Sequence, residues 1–282
     1  MPATLMDGRA VATKLRAEVA HEVEQLGSLG LATVLVGDDP SSDVYVRQKH
    51  KAATEVGIRT IDRRLPADIP QDDLLAIVEG LNADDEIDGL LVQTPLPDHL
   101  DELKVLAAVR PEKDVDGLTP RNAGQLLLGR PAHIGATPLG IMRLLTEYKI
   151  RSAGARATVV GRSIIVGKPV SLLLLAAHAT VTICHSRTED LQRHTLEADI
   201  LVAAVGQPGL ITEDMVKTGA AVIDVGITRT ETGLLGDVDP GVAEVAAFLT
   251  PVPGGVGPMT IALLLENTVR AAKYRRGLLP FP

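Results

Sequence analysis

Apolar residues recur along the chain with two alternating periods. Val11, Leu15, Val19 and Val23 fall every four residues, the spacing of one helix face, with Asp7 or Gly8 near its start. Leu31 to Val36 is a short apolar run that reads as a buried strand, ending at Gly37-Asp38-Asp39-Pro40. Ser41 and Ser42 stand where an N-cap belongs, and a helix is expected to run to about Val56. Ile58 to Leu65 reads as a strand, Asp72 to Leu81 as a helix, and Gly89 to Gln93 as a third strand that Pro95 and Pro97 stop. After a turn-rich region from Lys113 to Gly129 the alternation restarts. Ile141 to Tyr148 reads as a helix, Ala157 to Val160 as a strand, Pro169 to His178 as a helix and Thr180 to Cys184 as a strand. Ile200 to Val205 and Ala221 to Val225 are further Val-rich strands, and a last helix is expected from about Met259 to Lys273.

Strands alternating with helices imply an α/β fold with a largely parallel sheet covered on both faces. A single (β/α)8 barrel competes at a length of 282 residues. The irregular stretch from Pro111 to Pro138 favours two doubly wound domains around a cleft, the second a Rossmann-like parallel sheet.

Composition narrows the partners. With three Tyr, two Phe and no Trp, the core must be built from Leu, Val, Ile and Ala, and stacking of bases on aromatic side chains is a poor prospect. The net charge of −8, with no basic run, argues against nucleic acid. One cysteine, Cys184, excludes an intramolecular disulfide and a cysteine zinc site. No cluster of His, Cys and carboxylates has ligand spacing, so no metal is expected; His178, His185 and His194 read as ordinary helix or loop residues. Pro169 to Ser186 lacks Asp, Glu, Lys and Arg, but its Ser, Thr and His content and its change of period read as a buried helix and strand, not a membrane span. Met1 to Ala10 has no apolar signal core, which makes the cytoplasm the default location.

One turn carries a specific chemistry. Ala157-Thr158-Val159-Val160 runs straight into Gly161-Arg162-Ser163-Ile164-Ile165-Val166-Gly167-Lys168-Pro169 and then a helix. A glycine turn between strand and helix aims backbone N–H groups and the helix dipole at a phosphate, although a tight structural turn would look the same. An ATP loop fails here: one residue too many separates Gly161 from Gly167, and Pro169 stands where a Ser or Thr should follow the Lys. The next strand ends Cys184-His185-Ser186-Arg187 with no carboxylate before Glu189. NAD would want that carboxylate on its ribose, whereas Arg162, Ser186 and Arg187 suit the 2′-phosphate of NADP.

The first half offers Tyr45 and Lys49, four apart on one helix face, a pair that is more often plain surface. Gln93 ends an apolar strand, and Asp116 sits in the turn Lys113-Asp114-Val115-Asp116-Gly117. Polar residues at the carboxyl ends of parallel strands are where such sheets bind ligands. Composition and spacing alone reach only the substrate pocket of a dehydrogenase.

Five segments taken in order go further. Val36-Gly37-Asp38-Asp39-Pro40-Ser41-Ser42 leads to Tyr45-Val46-Arg47-Gln48-Lys49; then come Gly89-Leu90-Leu91-Val92-Gln93-Thr94-Pro95-Leu96-Pro97 and Pro111 to Gly117. The turn from Gly161 to Pro169 and Thr250-Pro251-Val252-Pro253-Gly254-Gly255-Val256-Gly257-Pro258-Met259-Thr260 complete the set. Over essentially its whole length the chain resembles the bifunctional methylenetetrahydrofolate dehydrogenase/methenyltetrahydrofolate cyclohydrolases. The resemblance implies a catalytic group of Lys49, Tyr45, Gln93 and Asp116, with Asp116 gripping the pterin and Tyr45 lining the folate pocket. Ser42, Val92, Thr94, Pro253, Gly254 and Gly255 would complete the folate site; Gly161, Arg162, Ser163, Ser186 and Ile227 match the NADP positions, joined by Arg187. It further implies a folate-binding catalytic domain over 1–138 joined by the last helix, 259–282, an NADP domain over 139–258, and a homodimer. Two departures stand out: Ala136 where many members have Cys, and Thr94 where Leu is common.

The implied reaction oxidises 5,10-methylenetetrahydrofolate with NADP⁺ and then hydrolyses the methenyl product to 10-formyltetrahydrofolate, with Lys49 moving protons. Dehydrogenase activity alone is the near rival. A dinucleotide-sensing or scaffold protein without catalysis is the distant one.

Overall fold

The computed structural model describes residues 2–230 and 233–282. The elements in chain order are β1 (Thr4–Leu5), α1 (Gly8–Leu26), β2 (Gly30–Val36), α2 (Pro40–Glu55), β3 (Arg59–Leu65), α3 (Gln71–Ala83) and β4 (Gly89–Val92). Next come α4 (Glu102–Ala108), α5 (Pro120–Leu127), α6 (Ala136–Glu147), β5 (Arg156–Val160), α7 (Gly167–Ala176), β6 (Thr180–Cys184) and α8 (Leu191–Leu196). The chain ends with β7 (Ile200–Ala203), β8 (Ala221–Asp224), β9 (Thr228–Thr230), β10 (Gly233–Leu235), β11 (Phe248–Leu249) and α9 (Val256–Arg275).

The strands form two separate parallel sheets and a small antiparallel hairpin, β9–β10, so the single-barrel alternative is excluded. One unit comprises 14–136 and 261–282, the other 1–13 and 137–260. The N-terminus therefore departs from the domain limits read from the sequence. β1 forms a parallel ladder with β11, pairing Thr4 with Phe248 and Leu5 with Leu249, and main-chain hydrogen bonds from Ala3, Thr4, Met6 and Arg9 tie this stretch to the second unit.

The first unit is built on a three-stranded sheet in the order β3-β2-β4. Every residue of β2 is buried, as a central parallel strand covered on both faces requires. Val34, Leu74, Val78, Ile87, Leu90 and Val105 form its aliphatic core, each worth about 1.5–3 kcal/mol on burial. The residues of α9 from Ile261 onward belong here through polar bonds as well as packing. Asn267 donates to the carbonyls of Val115 (2.7 Å) and Ile134 (2.8 Å), and Arg275 donates to Ile87 O (2.7 Å) and Asp88 Oδ1 (2.9 Å). Lys273 also pairs with Glu22.

Local chemistry moves several boundaries. The cap of α2 is Asp39, two residues before the first of the expected serines, Ser41 and Ser42: its carboxylate accepts from Ser42 N at 2.8 Å. The stretch expected to be irregular contains α5, capped by Thr119 accepting from Asn122 N. Buried Lys113 donates to the carbonyls of Leu81 (3.2 Å), Asn82 (2.7 Å) and Asp84 (2.7 Å), satisfying the C-terminal end of α3.

The second unit carries the six-stranded parallel sheet, β1-β11-β8-β7-β5-β6. Its core includes Val160, Leu201, Ala203, Ile211, Val222 and Val242, with Cys184 fully buried among them. Strands β1 and β11, two residues each, are too short to show a period in the sequence.

Lys113 yields a prediction. Lys113→Met leaves three helix-end carbonyls without a donor and should cost about 2–3 kcal/mol in urea unfolding. Burial, with Arg275 and Arg110 nearby, pulls the Lys113 ammonium down to about 8, below the 10.5 of an unfolded lysine. Between those values the unfolded chain binds more protons, so stability from this group rises with pH and the deficit of the variant should widen from pH 8 to 10. An equal deficit at both pH values would exclude this titration.

Candidate active site and cofactor loop

In the three-stranded sheet the chain leaves β2 for β3 on one side and returns to β4 on the other. The carboxyl ends of β2 and β4 thus flank a topological switch point, where open α/β sheets bind ligands. β2 runs through Gly37 into α2, and β4 runs into Gln93. Lys49 Nζ donates to Gln93 Oε1 at 3.0 Å, while Gln93 Nε2 donates to Thr94 O at 2.8 Å. That second bond fixes the amide orientation, so the oxygen is the atom facing the lysine.

Asp116 completes the group electrostatically. Burial pulls the Lys49 ammonium below its ordinary value, and Asp116 opposes that; burial pushes the Asp116 carboxyl up, and Lys49 opposes that. Each group is shifted toward its neutral form, and each limits the shift of the other.

The turn bearing Asp116 is held from three directions. The Asp114 carboxylate accepts from Thr119 N (2.7 Å), Leu118 N (3.2 Å) and Asn122 Nδ2 (2.8 Å). Asn267 holds the Val115 carbonyl from α9, and Leu90 N donates to Lys113 O at 2.7 Å from β4.

Of the other residues singled out in the sequence, Ser42 is buried and Tyr45 exposed, both on α2 with Lys49. Val92 differs from its expected role: its side chain lies in the aliphatic core, because β4 is covered on both faces. Thr94 is half-buried and serves Gln93 through its carbonyl.

In the six-stranded sheet the reversal falls between β5 and β7. Gly161 follows β5 with φ +125°, and a Cβ there would collide with the Ala204 carbonyl after β7, so only glycine fits. Ser163 Oγ accepts from Val166 N (3.0 Å) and Gly167 N (3.3 Å). These amides at the start of α7 are already engaged, which changes the expectation that the helix N-terminus itself takes the phosphate. Arg162, Ser186, Arg187 and Ile227 are exposed. The turn holding Ser186 and Arg187 is closed by His185 N donating to Thr188 Oγ1 (2.9 Å) and Arg187 N donating to His185 Nδ1 (3.2 Å).

Ile164, Ile165, Val205 and Ile227 are large apolar side chains left exposed on loops that follow β5, β7 and β8. Exposed apolar side chains on such loops suit the flat faces of a dinucleotide's rings. In the sequence, Val205 reads as the end of a buried strand, so only the strand's earlier termination at Ala203 reveals it. Pro253, Gly254 and Gly255 follow β11 in this same unit, where Arg9 N donates to Gly254 O at 3.2 Å. Among the described residues no group of three or more His, Cys, Asp or Glu is placed to hold a metal, and no helix is long and apolar enough to cross a membrane.

Residues 6–116 match the catalytic domain of the tetrahydrofolate dehydrogenase/cyclohydrolase family, and residues 135–276 match its NAD(P)-binding domain. The chain belongs to that family. The bifunctional protein FolD of Moorella thermoacetica is 56% identical over 279 residues, covering 97% of this chain and 100% of that protein. The Campylobacter jejuni bifunctional FolD, a methylenetetrahydrofolate dehydrogenase/cyclohydrolase, has a TM-score of 0.93 at 45% identity, covering 97% of this chain and 99% of its own. The Trypanosoma brucei N5,N10-methylenetetrahydrofolate dehydrogenase-cyclohydrolase, solved with NADP cofactor and inhibitor, has a TM-score of 0.94 at 41% identity, covering 98% and 99% respectively.

The opposed shifts at Lys49 and Asp116 give a signed expectation. In protein carrying ¹³C-dimethylated lysines, the Lys49 signal should titrate below those of surface lysines. Asp116→Asn removes the group that raises it and should move it lower still. A Lys49 signal that stays put or rises in Asp116→Asn would show that the two do not interact.

Proposed function

We propose that this protein is a bifunctional one-carbon folate enzyme that oxidises 5,10-methylenetetrahydrofolate with NADP⁺ and hydrolyses the 5,10-methenyl product to 10-formyltetrahydrofolate. The observation that carries this reading is the Lys49–Gln93 bond at the β2/β4 switch point, with Asp116 in electrostatic reach. A dehydrogenase alone needs no group that exchanges protons with water; a cyclohydrolase does.

Asp116 offers two carboxylate oxygens that match the 2-amino and N3 hydrogens of a pterin, and so orients the substrate. When bound, NADP⁺ supplies the hydride acceptor and leaves as NADPH. Glycine at 161 and the apolar group of Ile164, Ile165, Val205 and Ile227 fit such a ligand, and Arg162, Ser186 and Arg187 fit its 2′-phosphate.

The hydrolytic step adds water to the methenyl carbon, which lies between N5 and N10. The C–O bond forms as a proton leaves the water. Collapse of the adduct breaks the bond to N5, N5 gains a proton, and the formyl group remains on N10; one proton is released overall. Lys49, lowered by burial, takes and returns protons in this sequence, and Gln93 aims its nitrogen. Tyr45 lies exposed on the same helix and lines the approach, and Ser42 lies buried one turn before it.

The experiment follows absorbance of the methenyl compound and of NADPH with methylenetetrahydrofolate and either NADP⁺ or NAD⁺. Turnover with NADP⁺ preferred by tenfold or more in kcat/KM is expected; absence of turnover with both cofactors sinks the reading. Lys49→Met should reduce hydrolysis of supplied methenyltetrahydrofolate by roughly 100-fold, the range of a lost acid–base group. Wild-type hydrolysis in that variant would show that the role given to Lys49 is wrong. Arg187→Ala should raise KM for NADP⁺ by about tenfold, as loss of one charge-assisted bond does, and leave KM for NAD⁺ unchanged.

A further inference from the structure

Two carboxylates lie buried beneath the loops of the cofactor unit, and nothing in the reaction above uses them. Asp224 closes β8 and is 4% exposed; Asp237 follows the β9–β10 hairpin and is fully buried. The Asp224 carboxylate accepts from the amides of Asp237 (2.8 Å) and Val238 (3.1 Å). Asp237 in turn accepts through Oδ2 from the amides of Val205 (2.7 Å) and Gly206 (3.1 Å). The chain of contacts therefore runs from β8 through Asp224 and Asp237 to the loop after β7.

That loop borders the β5/β7 switch point. Ala204, one residue before Val205, places its carbonyl against Gly161, and Val205 itself is one of the exposed apolar side chains. Thr228 Oγ1 reaches Gly206 O at 3.3 Å from the strand that follows Ile227. Loop and hairpin are thus fastened to the same support.

The arrangement is expensive for the fold. Asp237 Oδ1 has no hydrogen-bond partner, and a buried acceptor left unmade costs about 1–3 kcal/mol. Burial, aided by Asp237, pushes the Asp224 carboxyl up to about 6. Side chains at 226 and 236 are excluded as well, since a Cβ at Gly226 would collide with the Asp237 carboxylate and one at Gly236 with that of Asp224. Asn at 237 would keep the acceptor without the buried charge. Costs of this kind persist where a backbone position matters more than stability.

We propose that Asp237 is a positioning residue for the cofactor: its carboxylate holds the Val205–Gly206 amides so that the loop after β7 stands in the one place where Gly161 and the exposed Val205 can both meet the dinucleotide. The proposal rests on reading this unit as NADP-binding. Asp224 acts one step further back, holding Asp237.

The test measures NADP⁺ affinity by calorimetry, KM and kcat for the dehydrogenase, and hydrolysis of methenyltetrahydrofolate in the absence of any nicotinamide. Asp237→Ala should raise Kd and KM for NADP⁺ at least tenfold, with kcat at saturating NADP⁺ and the hydrolysis rate within twofold of wild type. Asp237→Asn, which keeps an acceptor for the loop, should give a rise of only two- to fivefold. A merely structural role would lower hydrolysis and dehydrogenase activity together while KM for NADP⁺ stayed fixed, and that outcome overturns the proposal. Should Asp237→Ala fail to fold, Asp237→Asn decides: NADP⁺ affinity equal to wild type overturns it. If the wild-type protein binds no NADP⁺, the cofactor reading itself has failed, which is a different result.

Discussion

Reversal of strand order beside a first parallel strand is the constraint from which the two sites follow. In parallel sheets every strand delivers its carboxyl end to the same edge. When the chain winds first to one side and then to the other, the loops leaving two adjacent strands diverge and leave a gap. β2 and β4 are such a pair in one unit, β5 and β7 in the other. Lys49 and Gln93 stand at the first gap, Gly161 and Val205 at the second. Neither position needs a dedicated binding element; the winding produces both.

What distinguishes the two gaps is their electrostatics. At the first, a lysine and an aspartate lose solvent together, and each partly restores the charged form of the other. The balance leaves both displaced toward neutrality, which is where proton transfer is cheapest. Support for this arrangement comes from the Asp114 carboxylate, which Asn122 and two main-chain amides bind and which itself pushes Asp116 up, and from Asn267, which holds the Val115 carbonyl. At the second gap the exposed groups are apolar side chains and arginines, suited to holding a flat, anionic ligand rather than to moving protons. Chemistry and cofactor binding are in this way assigned to different units.

The buried charges of the second unit are turned inward instead. Asp224 and Asp237 spend their acceptors on backbone amides, and so convert carboxylate strength into loop position. Lys113 does the same with opposite sign at the end of α3. In each case an ionisable side chain faces main-chain dipoles, and the bonds fix the direction of both.

Much of this was written locally. The alternation of apolar runs specified the longer strands and helices, though not α4, α5, α8, β9 or β10, because periods of two and near four are properties of neighbouring residues and need several of them in a row. The glycine turn at 161, the arginine at 187 in place of a carboxylate, and the motif around Lys49 were legible for the same reason. Strands β1 and β11 were not: two-residue strands have no period, and they exist because a partner edge supplies their hydrogen bonds. Asp39 displaced the serines as cap through the geometry of one turn, and Val92 went into the core because β4 is covered on both sides. The depressed Lys49, the Asp224–Asp237 relay and the Asn267 bond from α9 to a turn 152 positions earlier depend on burial and on long-range approach. The sequence by itself determined which residues stand in these motifs; only the tertiary structure decided which of them lost their water, and desolvation is what separates Lys49 and Asp116 from an ordinary surface lysine or aspartate.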